Sequence, residues 1–232
     1  MLEASYHNRQ AMILSEFERV TIPDSRIEVW LVRLDLDIHA VSQYVNLLSL
    51  DERERAQRFH FEHDRRRFTV ARGTLRILLG KHLVIDPKAI RFTQTEKGKP
   101  LITGTPIHFN ISHSHERALI ALSNVKPVGV DIEHLARNVD YEALTNRYFT
   151  PDEYETIQSF PEEQRKHVFL TCWTCKEAIA KARGEGLFLS LDNFEVISLR
   201  TLKFIQHAGG CALHRIKVGD NYIATVAVQH QK

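Results

Sequence analysis

Pro127-Val-Gly-Val-Asp-Ile-Glu133 alternates strictly. Val128, Val130 and Ile132 fall on one side of an extended chain, and Gly129, Asp131 and Glu133 on the other, which is the period of a β-strand. The apolar set is expected to face a core. Upstream, Ala118 to Ser123 reads as a second strand, paired as a hairpin across Asn124-Val-Lys-Pro127. Downstream, Thr150-Pro-Asp-Glu153 is a helix start, since proline fits the first turn. Glu163 to Arg183 is the longest helical pattern, stopped by Gly184 and Gly186. Phe194 to Ser198, Ala212 to Val218 and Tyr222 to Val228 close the chain as strands.

The first half has the same order. Ile27 to Leu34 reads as a strand by its β-branched and aromatic content. Ser49 with Glu52 three residues on resembles a capping box. Phe68, Ala71, Leu75, Leu78 and Leu79 mark an amphipathic helix over Asp64 to Leu83. Ile90 to Thr95 and His108 to Ser112 follow as short strands around a turn at Lys97-Gly-Lys-Pro100. Strand, helices, long helix and strands thus occur twice, which predicts an α+β fold of two similar halves, residues 1–115 and 116–232.

Composition removes several functions. Lys plus Arg is 31 and Asp plus Glu is 29, a formal charge of +2 in 232 residues. General nucleic-acid binders carry a strong basic surplus, so nucleic acid is not an expected partner. Apolar residues make up 43%, too many for a disordered chain. Met1 to Gln10 is polar and unlike a signal peptide, and no apolar run reaches the length of a membrane span. Three cysteines, Cys172, Cys175 and Cys211, fit a reducing compartment, so a cytoplasmic protein without membrane association is expected.

Chemistry concentrates in a few places. Asp131 and Glu133 are same-face neighbours whose repulsion needs an offset. A hard divalent cation supplies one, and Gly129 on that face would admit a ligand; scattered acids on a solvent-facing edge are the simpler reading. Trp173, Glu177 and Lys181 are spaced by four and share a helix face, with Lys176 on its flank. A carboxylate and an ammonium one turn apart can divide proton transfer from phosphate neutralisation, although surface pairs of this kind are common. Cys172-Trp-Thr-Cys175 falls within the helical pattern and reads as core. Between Asp51 and Arg76 stand Arg53, Arg55, Arg58, Arg65, Arg66, Arg67, Arg72 and Arg76, suited to an anionic ligand or an acidic partner helix, or simply a solvated face. Lys97, Gly98 and Lys99 form a cationic turn. Phe109-Asn-Ile-Ser-His-Ser114 offers Asn110, Ser112 and His113 as donors to a phosphate or a nucleotide edge.

Together these segments resemble the 4′-phosphopantetheinyl transferase family, of the larger pseudo-dimeric type that activates surfactin synthetase. The motifs that carry the resemblance are Lys97-Gly-Lys-Pro100, Phe109 to Ser114, Val128 to Glu133, Arg147-Tyr-Phe-Thr-Pro-Asp-Glu153 and Trp173 to Leu187, in order and spacing from about Ser49 onward. The resemblance implies two halves related by pseudo-twofold symmetry, with the active site in the cleft between them. It implies transfer of the phosphopantetheine arm of coenzyme A to a serine of an apo acyl or peptidyl carrier protein, releasing adenosine 3′,5′-bisphosphate. Asp131, Glu133 and Glu177 are then the ligands of Mg²⁺, or Mn²⁺. Glu177 is also the serine base, Lys181 holds the pyrophosphate and Glu153 assists. Arg55, Lys99, Ser112, His113 and Lys176 would grip coenzyme A. Glu52 stands where some members have Lys, and Phe68 where some have Thr, so Arg55 and Arg67 are the expected substitutes at the 3′-phosphate. A pseudo-dimer within one chain is expected to be a monomer. Two other classes use the same residues: a metal-dependent phosphohydrolase acting on a coenzyme A-like nucleotide, and a non-catalytic module built on the arginine-rich helices.

Overall fold

The computed structural model describes residues 16–186 and 190–230. Met1 to Gln10, and Leu187 at the end of the helix motif, lie outside them. The elements are β1 (Phe17–Val20), β2 (Ile27–Arg33), α1 (Ile38–Val45), α2 (Leu50–Gln57), α3 (Glu62–Leu83), β3 (Thr93–Gln94), β4 (Pro100–Leu101), β5 (His108–Ser114) and β6 (Arg117–Ser123). There follow β7 (Val128–His134), α4 (Tyr141–Tyr148), α5 (Pro151–Ser159), α6 (Glu162–Arg183), β8 (Ile197–Ser198), β9 (Lys203–Phe204), β10 (His207–Ala208), β11 (Cys211–Ile216) and β12 (Tyr222–Gln229). The fold is mixed helix and sheet. One antiparallel sheet has the order β1-β2-β6-β5 and the other β10-β11-β12-β7, with small ribbons β3-β4 and β8-β9.

Alternation along the strands builds the layers. On β6, Ala118, Ile120 and Leu122 meet Val70, Leu75, Leu78 and Leu79 of α3. Leu119 and Ala121 point the other way, into a cluster with Val29 and Leu31 of β2, Val128, Val130 and Ile132 of β7, and Val226 and Val228 of β12. The outer face of the second sheet, with Leu213, Ile223 and Ala227, is covered by Phe169, Cys172, Cys175 and Ile179 of α6. The order is helix, sheet, sheet, helix. Each 22-residue helix lies on a four-stranded sheet, and in each the strand before the helices sits beside the last strand of the later hairpin: β2 beside β6, and β7 beside β12. Among the described residues no helix is long and apolar enough to cross a membrane.

Local signals placed the helix starts well. Ser49 and Glu52 form a capping box at α2, and Thr150 and Glu153 form another at α5. Pairing beyond the local chain differs from the sequence reading. β6 and β7 do not form a hairpin: β6 has β2 and β5 on its two sides, and β7 pairs with β12. The Ser123 hydroxyl accepts the N–H groups of Val125 and Lys126, turning the chain out of the first sheet. The division expected at 115/116 falls inside the β5–β6 hairpin, whereas the crossing lies at Asn124 to Pro127.

Two expected strands shrink to ribbon fragments because side chains claim their backbone. Arg76 donates to the Pro87 and Ile90 carbonyls. Lys176 donates to the Phe194 carbonyl, and the Val196 N–H donates to Glu153.

β7 is buried on both faces. A Cβ on Gly129 would stand 2.1 Å from the Ala178 carbonyl oxygen and 2.3 Å from the Ala182 nitrogen. The space expected for a ligand is therefore filled by α6, and the acids of β7 lie on the side that this helix covers. Gly129→Ala forces α6 off the sheet. Urea denaturation is expected to show a loss of about 3 kcal/mol or more, the upper range for an overpacked core.

Candidate active site

The site is built where the two sheets meet edge to edge. β5 ends the first sheet and β7 the second, and side chains of β5 reach across. The Val130 N–H donates to Asn110 Oδ1 at 2.9 Å, and Ser112 Oγ donates to Asp131 Oδ1 at 2.9 Å. Ser114 Oγ donates to Glu133 Oε2 at 3.3 Å and accepts the His134 N–H at 3.1 Å. Residue numbers rise together on both sides, so the strands run parallel. Asn110 and Ser112, expected to bind phosphate or a nucleotide edge, are instead buried in this seam. Asn110 orders the β7 backbone, and Ser112 orients the Asp131 carboxylate.

α6 supplies the opposing groups. Lys181 Nζ lies 2.6 Å from Asp131 Oδ1 and 3.1 Å from Ser112 Oγ. Glu177 stands one turn earlier on the same helix face. Burial raises the Glu177 pKa; Lys181 opposes the rise and Asp131 adds to it. Asp131 Oδ2 is buried with no hydrogen-bond partner among the described residues. Glu133 Oε1 pairs with Arg137, a residue the motif reading missed although it lies four residues on from Glu133. The three carboxylates expected to form a metal triad are thus not gathered into one: among the described residues no three His, Cys, Asp or Glu side chains are grouped to hold a metal ion. Lys181 and Arg137 neutralise two of the acids instead.

Three of the expected site residues, Glu153, Lys176 and Lys99, are engaged within the fold. Glu153 and Lys176 are both 0% exposed and pair at 2.7 Å. Lys176 Nζ also donates to the Leu191 and Phe194 carbonyls and faces the rings of Phe149 and Phe194. Glu153 accepts the N–H groups of Thr150 and Val196. Burial pushes Glu153 up and Lys176 down, each opposed by the other's charge. Through these contacts the two side chains bolt α5, α6 and the following loop together. Lys99 turns inward, and Nζ donates to the Val128, Lys181 and Ala182 carbonyls. Lys97 and Gly98 remain exposed in the β3–β4 turn, where Gly98 has φ +84°.

The cationic wall opposite is only partly free. His113 lies exposed on β5, its pKa lowered by the surrounding protein and by Lys181, Arg67 and Arg55, with Asp64 opposing. Arg67 is held by Asp35 through two contacts, at 2.7 and 2.9 Å. Arg55 lies over the Phe68 ring at 5.3 Å and lines an open groove of about 570 Å³ with Asp51, Glu54, Arg58 and Phe59. Arg72 and Arg76 both pair with buried Glu52, at 2.5 and 2.6 Å. Burial would raise Glu52, but Arg76 and Arg72 outweigh it and hold its pKa low.

The buried pair makes a direct test. Lys176→Met leaves Glu153 buried without its cation, which typically costs about 3–5 kcal/mol. Chemical denaturation is expected to show a loss of that size.

Comparison with known proteins agrees with the geometry. Residues 127–227 match the model of the 4′-phosphopantetheinyl transferase superfamily, and residues 37–125 match that of the 4′-phosphopantetheinyl transferase N-terminal region. The chain is 36% identical over 214 residues to the 4′-phosphopantetheinyl transferase HetI of Nostoc sp., covering 90% of each. It is 32% identical to the 4′-phosphopantetheinyl transferase Sfp of Bacillus subtilis, covering 66% of this chain and 68% of that one. The human L-aminoadipate-semialdehyde dehydrogenase-phosphopantetheinyl transferase is 32% identical, over 65% of this chain and 53% of that one. The two family matches meet at the same crossing between sheets, Asn124 to Pro127, and this chain belongs to the 4′-phosphopantetheinyl transferase superfamily of enzymes.

Proposed function

We propose that the chain transfers the 4′-phosphopantetheine arm of coenzyme A to a serine of an apo acyl or peptidyl carrier protein, with Mg²⁺ bound and adenosine 3′,5′-bisphosphate released. The observation that carries this reading is the Asp131 carboxylate. One oxygen is shared by Lys181 and Ser112, and the other is buried and unsatisfied among the described residues. A buried carboxylate oxygen left unsatisfied is costly and asks for a partner. The candidate ligands Asp131, Glu133 and Glu177 all offer hard oxygens, the kind that suits Mg²⁺ or Mn²⁺, and would have to draw together to hold the ion, since they are not grouped in this structure. When bound there, the cation would neutralise the pyrophosphate of coenzyme A.

The residues divide the remaining work. The carrier serine Oγ forms a bond to the pantetheine-side phosphorus. The bond from that phosphorus to the bridging oxygen breaks, and its electron pair leaves on the adenosine bisphosphate. Serine is a weak nucleophile at its free pKa, so its proton must pass to a base, and Glu177 takes that role. Lys181, on the same helix face, meets the charge that builds on the departing phosphate. His113, Arg55, Lys97 and Gly98 receive the nucleotide end, while Arg67 stays paired with Asp35. We read the two sheet-and-helix units as halves of a pseudo-twofold pair within a monomer.

The test is incubation of an apo carrier with coenzyme A and Mg²⁺, read by mass spectrometry. The carrier is expected to gain a phosphopantetheine, and chelation of the metal to prevent it. Glu177→Gln and Asp131→Ala are each expected to lose about a thousandfold in rate, the scale of a lost charge-stabilising or proton-transfer group. Coenzyme A consumed with no mass gain on the carrier would point to a phosphohydrolase. No turnover of coenzyme A by the wild-type chain would point to a non-catalytic module, and full activity in both variants would remove Glu177 and Asp131 from the proposed chemistry.

A further inference from the structure

Lys99 projects from the turn that joins β3 to β4. The turn is closed by the Gly98 N–H on the Thr95 carbonyl at 2.8 Å, and by the Thr95 N–H on the Lys99 carbonyl at 2.9 Å. The Lys99 N–H also meets Thr95 Oγ1 at 3.0 Å. So anchored, the side chain crosses from the first half to the second. Its ammonium donates to three carbonyls: Lys181 at 2.7 Å, Ala182 at 3.0 Å and Val128 at 3.3 Å. Two of these are last-turn carbonyls of α6, and the third belongs to the first residue of β7.

The last carbonyls of a helix lack intrahelical partners, and a cation there is favoured by the helix dipole. Gly184, at φ +69°, ends α6, and a Cβ on it would lie 3.1 Å from Lys99 Cδ. The alkyl stem therefore passes directly over the helix end. Lys181 is gripped at both ends. Its carbonyl accepts Lys99 Nζ at 2.7 Å and, more weakly, the Gly184 N–H at 3.3 Å, and its ammonium is held by Asp131 and Ser112.

We infer that Lys99 is a positioning residue: it clamps the end of α6 to the start of β7 and so sets the Lys181 ammonium against the reacting pyrophosphate, without touching coenzyme A. The inference rests on the proposed transfer reaction. It separates a residue that binds phosphate directly from one that acts through another, and a small displacement of a charge-stabilising group is enough to cost rate.

A double-mutant cycle on the full chain tests it, with carrier modification as readout. Lys99→Met is expected to lower kcat between about 10- and 100-fold, with its melting temperature measured alongside. In a Lys181→Ala background the same change is expected to add less than about twofold, because residues acting through one group are not additive. Lys99→Arg keeps a cation at the helix end and is expected to restore most of the kcat. Additive losses, or a Lys99→Met defect confined to the KM for coenzyme A, would overturn the inference in favour of direct contact. An inactive wild-type chain would instead remove the transfer reaction on which it rests.

Discussion

Two sheet edges meet along β5 and β7, and polar side chains hold them together. An ordinary junction of parallel strands would be closed by backbone hydrogen bonds. Here Asn110, Ser112 and Ser114 stand in, and their partners include two backbone N–H groups of β7 and the carboxylates of Asp131 and Glu133. Buried polar groups have to be matched, so each contact fixes a rotamer as well as a strand position. The acids are consequently placed by the same bonds that join the halves. Loosening the seam would disturb the fold and the site together.

α6 answers the seam from the other side. It lies against Gly129 with no room for a Cβ, and it presents Glu177 and Lys181 one turn apart toward the acidic side of β7. The charges are balanced locally: Asp131 by Lys181, Glu133 by Arg137, Glu153 by Lys176, and Glu52 by Arg72 and Arg76. The near-neutral total of +2, from 31 basic and 29 acidic residues, is consistent with such local balance. Some are structural and closed. The Asp131 pair differs because one of its oxygens is still without a partner among the described residues. That oxygen, with Glu133 and Glu177, would hold the proposed cation, and Lys181 stands beside it.

The sequence was most readable where the physics is local. The capping box at Ser49, the proline start at Thr150-Pro151, the apolar period of α3 and α6, and the alternation of β7 all predicted elements that exist. Less was readable where a choice depended on distant chain. Alternation in Val128 to Glu133 shows that two faces differ, but not that a helix covers the acidic one. Glu153 and Lys176 carry the same charges whether they bind a ligand or each other, and only the 43-residue reach from Glu153 to the Val196 N–H reveals the second use. Lys99 is similar, with its carbonyl partners 82 and 83 residues away. Asn110, Ser112 and Ser114 did leave a signal. They occupy alternate positions of one strand, and a strand with three small polar residues on one buried side needs a polar partner across from it.

We propose that Asp131, fixed by the seam, would hold a hard cation together with Glu133 and Glu177. Electron paramagnetic resonance of Mn²⁺, titrated into the full chain with coenzyme A present and carrier absent, measures this most directly. Saturable binding by the wild-type chain and its loss in Asp131→Asn are expected, with the melting temperature of the variant checked in parallel. Equal Mn²⁺ binding by the two proteins would contradict it.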